Sequence, residues 1–199
     1  MIVLADVDIV HKLVCCDLLD ELLNWLECPP NEILVIPTMQ YKVRKLLKHN
    51  PLALQRFNAF LNLTKELPAA NPDSLNSFST LDVGEQQLFA VFVDSPSPMR
   101  IITGDKRAIR QVAGLASKDQ VLAERLRNQI DCLEGIILEL IALYGFDAIN
   151  NKILPNREVD GVFKLAFGLG RSDKHAIEAL SSNLNSLRNE ASFVVLRPA

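Results

Sequence analysis

Ile2-Val-Leu-Ala-Asp6-Val-Asp8-Ile-Val10 is the stretch on which the architecture of this chain turns. Four apolar residues in a row, Ile2 to Ala5, suit a short strand buried in a parallel sheet. Asp8 then opens a helical pattern: Ile9, Leu13, Cys16, Leu19 or Asp20, Leu23 and Leu26 recur at three- and four-residue spacing. Cys28-Pro29-Pro30-Asn31 ends that helix, because consecutive prolines cannot continue it.

The same grammar repeats outward. Ile33 to Ile36 is a second strand closed by Pro37, and Thr38 caps a helix of about Met39 to Lys48. Asn50-Pro51 breaks it, and Leu52 to Leu67 forms another helix. Leu67 to Thr80, rich in Pro, Asn and Ser, is a surface connection. Val83-Gly84-Glu85 starts a helix to about Val93, stopped at Asp94-Ser-Pro-Ser-Pro98. Arg100 to Thr103 is a third strand, and Gly104-Asp105 turns into a helix through about Val112. Strand and helix in alternation imply an α/β fold, a three-layer α/β/α arrangement around a short, mainly parallel sheet.

From Leu126, apolar residues fall at Ile130, Leu133, Ile137, Leu140 and Tyr144. That spacing fits one long helix with a coiled-coil-like seam, or a last strand at Gln129 to Leu133 followed by a helix over Glu134 to Tyr144. The broken form is preferred, since three short strands make a thin sheet. Gly161 to Gly170 reads as loose and glycine-marked, Ser172 caps a helix over Asp173 to Asn189, and Phe193 to Leu196 is an edge-strand candidate. The expected division is an α/β domain over 1–145 and a helical C-terminal extension over 146–199 packed on it.

Composition narrows the class. The 199 residues are 49% hydrophobic and 23% charged with a formal net charge of -3, which excludes disordered, collagenous and disulfide-scaffold chains. Cys15, Cys16, Cys28 and Cys132 have no metal-ligand spacing and read as buried thiols of a reducing compartment. Asp6 and Asp8 cut the first apolar run too short for a signal peptide, and Leu133 to Tyr144 falls short of the ~20 apolar residues of a membrane span. A cytoplasmic protein with no membrane partner is the expectation.

Three carboxylates stand at informative places. Asp6 ends the first strand, Glu85 lies in the first turn of a helix, and Asp105 follows the third strand. In an open parallel sheet the carboxyl ends of strands share one edge, where ligands bind. Asp6 and Asp105 would meet there, with Glu85 leaning in and Asp8 close by. Acids brought together repel, rise in pKa and demand a cation, and an all-oxygen donor set favours Mg²⁺ or Mn²⁺ over zinc. Each residue also has a purely structural role open to it: Asp8 as a helix cap, Glu85 as a helix-start residue, Asp105 as a turn residue.

At these positions the chain resembles the PIN-domain family of metal-dependent ribonucleases. Ile2-Val-Leu-Ala-Asp6-Val-Asp8-Ile-Val is similar to the family's opening strand, Leu81-Asp-Val-Gly84-Glu85-Gln-Gln-Leu-Phe-Ala90 to its Gly-Glu helix start, and Ile101-Ile-Thr103-Gly104-Asp105-Lys-Arg-Ala108 to its Thr-x-Asp strand end. The likeness covers about residues 1 to 113. It implies a PIN-like fold in which Asp6, Glu85 and Asp105 are catalytic and ligate Mg²⁺ or Mn²⁺, with Asp8 as a fourth, orienting or water-mediated partner. It also implies an RNA substrate, and a toxin-type setting in which an antitoxin or other protein is a partner. The chain departs from the family pattern around Asp105, where Gly104, Lys106 and Arg107 stand instead of a further acid; Asp82 and Asp131 are the candidates to compensate.

Charge patterning agrees with a polyanionic substrate. Pro37 to Lys65 holds six bases (Lys42, Arg44, Lys45, Lys48, Arg56, Lys65) and no acid, whereas the first 36 residues hold seven acids against Lys12. Lys42, Arg44, Lys45 and Lys48, with Lys106 and Arg107 beside Asp105, are the candidate RNA-binding residues. An ordinary solvated helix face is the competing reading of the first four. Tyr41 and Phe57 are either base-stacking or core residues. His11 falls one turn into the first helix, as a neighbour of the acids or as packing.

Two rival functions share these residues. Asp6-x-Asp8 after a strand also resembles the opening of haloacid-dehalogenase-type phosphohydrolases, with Asp6 as nucleophile and Asp8 as acid/base. Ile9-Val10 departs from that family's small-Thr pair, and Glu85 is then left without a role. The other rival is a catalytically degenerate PIN-fold binding module whose working surface is its C-terminal helices. Apolar faces such as Ile130 to Tyr144 serve either a homodimer or the domain's own core.

Overall fold

The computed structural model describes residues 2–191. Its first strand, β1 (Ile2–Ala5), pairs in parallel with β2 (Ile33–Val35) on one side and β4 (Met99–Thr103) on the other. The edges are β3 (Lys65–Glu66) beside β2 and β5 (Ile130–Cys132) beside β4, giving the all-parallel order β3-β2-β1-β4-β5. Every residue of β4 and β5 is buried, which requires cover on both faces and explains why these strands read as apolar runs rather than alternations. The fold is a three-layer α/β/α with a helical C-terminal part.

One charged pair interrupts the apolar sheet. Arg100 of β4 donates to Asp131 of β5, both side chains are almost wholly buried, and the guanidinium lies 4.4 Å over the Trp25 ring. A buried charge is tolerated only when paired in this way.

The helices that carry the site follow their strands directly. α1 (Val7–Cys15) leaves β1, α3 (Met39–Leu46) leaves β2, and α7 (Lys106–Ala116) leaves β4. α6 (Val83–Asp94) precedes β4 and packs on β1 and β4. The chain builds β1, moves outward to β3, then returns to the other flank of β1 for β4. Strand order therefore reverses between β1 and β4, and a crevice opens beyond their carboxyl ends.

Four expectations are corrected. The helix expected from Asp8 to Leu26 is two, α1 and α2 (Leu19–Leu26), because Asp17 sits at φ 56°, a left-handed conformation that ends a helix and that Asp tolerates. The helix expected to reach Leu67 is α4 (Pro51–Leu63), capped by the Asn50 side chain, and after Thr64 the chain enters β3. The connection after it contains α5 (Pro72–Ser77). Gly161 to Gly170 is not loose throughout, since Asp160 accepts a hydrogen bond from the Val162 amide at 2.7 Å and starts a further helix, Gly161–Ala166.

The remaining helices are α8 (Gln120–Leu126), α9 (Leu133–Tyr144), α10 (Phe146–Ile153), α11 (Gly161–Ala166) and α12 (Asp173–Glu190). β5 followed by α9 is the broken reading of the Leu126 to Tyr144 pattern. Ile149, Phe163 and Leu184 from the last three helices, and Phe167 just after α11, join the same buried core as the sheet, with α12 packed on α9 and α7. The apolar face of α9 is thus covered within the chain. The Phe193 to Leu196 candidate lies outside the described residues. Among those residues no helix is long and apolar enough to cross a membrane, and the four cysteines are buried and form no disulfide with one another.

Candidate active site

At the carboxyl edge of β1 and β4 lies a cleft of about 170 Å³, lined by Asp6, Asp8, Asp82, Glu85 and Asp105 together with Lys42 and Leu46. Asp6, Glu85 and Asp105 come from three separate parts of the sequence, so it is the topology that gathers them. His11 is not among the lining residues.

Each of the three carboxyls is anchored by the helix it starts. Asp6 caps α1, its Oδ1 accepting from the Val7 amide at 2.7 Å. Asp105 caps α7 through Oδ1, which accepts from the amides of Arg107 at 2.8 Å and Ala108 at 3.1 Å. Glu85 forms a capping box with Asp82: Asp82 Oδ1 accepts from the Glu85 amide at 2.9 Å, and Glu85 Oε2 accepts from the Asp82 amide at 3.0 Å. The structural and the chemical readings of these acids are therefore both true of the same side chains. The cap of α1 is Asp6 rather than Asp8.

Thr103 links two of the acids. Its hydroxyl donates to Asp6 Oδ2 at 3.0 Å and accepts from the Asp105 amide at 3.1 Å. Burial nonetheless dominates at Asp6, raising its pKa from 3.8 to about 6 against the opposing hydrogen bonds from Thr103 and Val7. Burial also raises Glu85, from 4.5 to about 7, with Asp82 and Asp105 adding repulsion. The cleft thus holds negative charge at a cost and gains from any cation that enters.

Asp8 is engaged differently. Its Oδ2 lies 2.5 Å from Lys12 Nζ, and the same ammonium is 2.8 Å from Asp160 Oδ2. Burial alone would lower the Lys12 pKa, but Asp8 and Asp160 outweigh it and hold it above the ordinary lysine value. Lys12 and Asp160 were not legible as site residues, although the Asp8–Lys12 spacing of one helical turn is a usable signal.

Among the bases, Lys42 reaches the cleft, its Nζ lying 3.9 Å from where a Cβ on Gly84 would stand. Arg44 and Lys45 are exposed on α3 and Lys48 is exposed in the turn that follows it, and Arg44 hydrogen-bonds Asn58 and Gln40. Tyr41 is 69% exposed on the same helix, whereas Phe57 is fully buried and belongs to the core. Arg107 is exposed, but Lys106 is ion-paired with the buried Glu134. Glu134 lies in the first turn of α9, after β5, and is an acid that its local spacing does not assign to the site. Asp131 is committed to Arg100 and does not line the cleft; Asp82 does.

The donor set suits a hard divalent cation, being all oxygen, desolvated and mutually repelling. Among the described residues no three acidic, His or Cys side chains already surround one point closely enough to grip an ion. Asp6 Oδ2 and the Asp105 and Glu85 carboxyls line the same small cleft, so the chemistry fits while the grip is not preformed. Comparison with protein families, with curated proteins and with solved structures yields no match to this chain.

Proposed function

We propose that the chain is a ribonuclease that uses Mg²⁺ or Mn²⁺ at the acidic cleft, as its resemblance to PIN domains implies. The observation that carries the reading is the placement of Asp6 and Asp105 on the two sides of the switch point, facing Glu85, with the Lys42 ammonium at the rim. Asp6, Glu85 and Asp105 would hold the cation. When bound, such an ion offsets charge on the non-bridging phosphate oxygens and makes a water more acidic.

The protein's own groups divide the remaining work. Glu85, whose pKa burial raises to about 7 in the empty cleft, is a carboxyl whose charged form a cation would favour. Thr103 orients Asp6, and the capping amides fix one oxygen of Asp105 so that the other remains toward the cleft. Lys42, Lys45 and Lys48 give phosphates flanking the site a cationic track, and exposed Tyr41 offers a flat face to a base.

The phosphohydrolase alternative asks Asp8 to serve as a free acid/base, and the Lys12 clasp supports the nuclease reading over it. The deciding assay offers the purified chain a labelled single-stranded RNA and an aryl phosphate in Mg²⁺ and in Mn²⁺. RNA cleavage with no aryl phosphate turnover is expected; the reverse would assign the site to the phosphohydrolase class.

A further inference from the structure

A side chain of the C-terminal segment reaches the surroundings of the acidic cleft. Asp160, the cap of α11, accepts from the Val162 amide through Oδ1 and pairs with the Lys12 ammonium through Oδ2. Lys12 is 9% exposed, and its ammonium bridges this carboxylate to Asp8. The bridge lies against the turn that leads to Asp105: a Cβ on Gly104 would run into Asp8 Oδ2 and stand 3.2 Å from Lys12 Nζ. Glycine at 104 is therefore what lets the ion pair sit there.

Charge counting gives the bridge a meaning. Five carboxyls line the cleft, from Asp6, Asp8, Asp82, Glu85 and Asp105, while Lys42 lines it and Lys12 holds Asp8. That leaves an excess of three negative groups if all are ionised. One divalent ion reduces the excess to one, and two would turn the cleft net positive.

Resting on the divalent-cation reading above, we infer that Lys12 is a resident cation of the cleft, clamped by Asp160. It neutralises Asp8 and withdraws it from the ligand set, so that the cleft takes up one divalent ion and not two. The C-terminal segment is then part of the site, as the group that keeps Lys12 in place. Lys12 and Asp160 are positioning residues, since neither is asked to touch substrate.

The test is Mn²⁺ uptake by the full chain, followed by calorimetry and by the electron paramagnetic resonance of free Mn²⁺. Wild type and Lys12→Arg are expected to bind one ion with similar affinity. Lys12→Gln keeps hydrogen-bonding capacity but removes the charge, and is expected to bind Mn²⁺ on the order of tenfold tighter or to take up a second ion. A purely structural lysine would give the opposite sign, because loosening the cleft weakens uptake. Lys12→Gln binding as wild type does, or more weakly, overturns the inference. Where that variant does not fold, Asp8→Asn decides: retained uptake of one ion supports the inference, and abolished uptake makes Asp8 a ligand and overturns it. If wild type takes up no Mn²⁺, the ribonuclease reading fails first. Uptake gained by Lys12→Gln would still identify Lys12 as the resident cation, and none would end both.

Discussion

Thr103 donates its hydroxyl hydrogen to Asp6 Oδ2 at 3.0 Å, across the pairing of the two central strands. Because the Thr103 hydroxyl oxygen also accepts from the Asp105 amide at 3.1 Å, one hydroxyl sets the positions of both strand-end acids. Thr103→Val preserves the shape of the side chain and removes both bonds. It is expected to cost about 1–3 kcal/mol in denaturant unfolding, because the buried Asp6 oxygen and the Asp105 amide lose their partner. It should also raise the Asp6 pKa further, since that hydrogen bond lowers it, and so move the rising limb of the cleavage pH profile upward. Thr103→Ser should retain both properties.

The raised carboxyls make stability depend on pH with a definite sign. Asp6 moves from 3.8 to about 6 and Glu85 from 4.5 to about 7, so near pH 5 the folded chain holds protons that the unfolded chain has lost. The stability associated with these groups is present at low pH and declines as pH rises through 6 and 7. Asp6→Asn should therefore stabilise the fold at pH 8 by about 2 kcal/mol relative to wild type, and by much less at pH 4. Melting temperatures of the two proteins at both pH values check this. An equal difference at both would show that Asp6 is not under the strain described.

Gly104→Ala places a methyl group where the Asp8 carboxylate now lies. Both ends of the Asp8–Lys12 pair are side-chain tips, so they can yield, and the expected stability loss is about 1–2 kcal/mol. The more specific expectation is loss of the pair: the Lys12 pKa, which Asp8 helps to hold above the ordinary lysine value, should fall in the variant when followed by NMR. An unchanged Lys12 titration would mean that the pair does not need Gly104.

Asp131→Ala should be the most damaging of these substitutions to the fold. It would strand the buried Arg100 guanidinium under Trp25, at a cost of about 3–5 kcal/mol in chemical denaturation. Divalent-cation uptake by whatever fraction remains folded should match wild type, because Asp131 lies outside the cleft.

These residues also mark how far the sequence could be read. The strands were visible because burial on both faces makes an apolar run, as in Ile2 to Ala5 and Arg100 to Thr103. β3 was not, because Lys65–Glu66 is two exposed charged residues whose only strand property is pairing with Leu34 and Val35. The break at Asp17 hid inside an unbroken helical period, since a single left-handed residue does not disturb the spacing of apolar side chains around it. At the site, Asp6, Glu85 and Asp105 could be placed together because parallel topology fixes which strand ends meet. Lys12 joined to Asp160, and Lys106 joined to Glu134, depend on where distant helices pack, and no local pattern records that.

The central claim is that the three strand- and helix-end carboxyls form one cation-dependent cleavage site. The direct measurement is cleavage of an end-labelled single-stranded RNA in Mn²⁺ by wild type and by Asp6→Asn, Glu85→Gln and Asp105→Asn, with circular dichroism confirming that each variant is folded. The expected result is cleavage by wild type that EDTA stops, and its loss in all three folded variants. Cleavage by Asp105→Asn or Asp6→Asn at the wild-type rate, or wild-type cleavage undiminished in EDTA, would contradict the account.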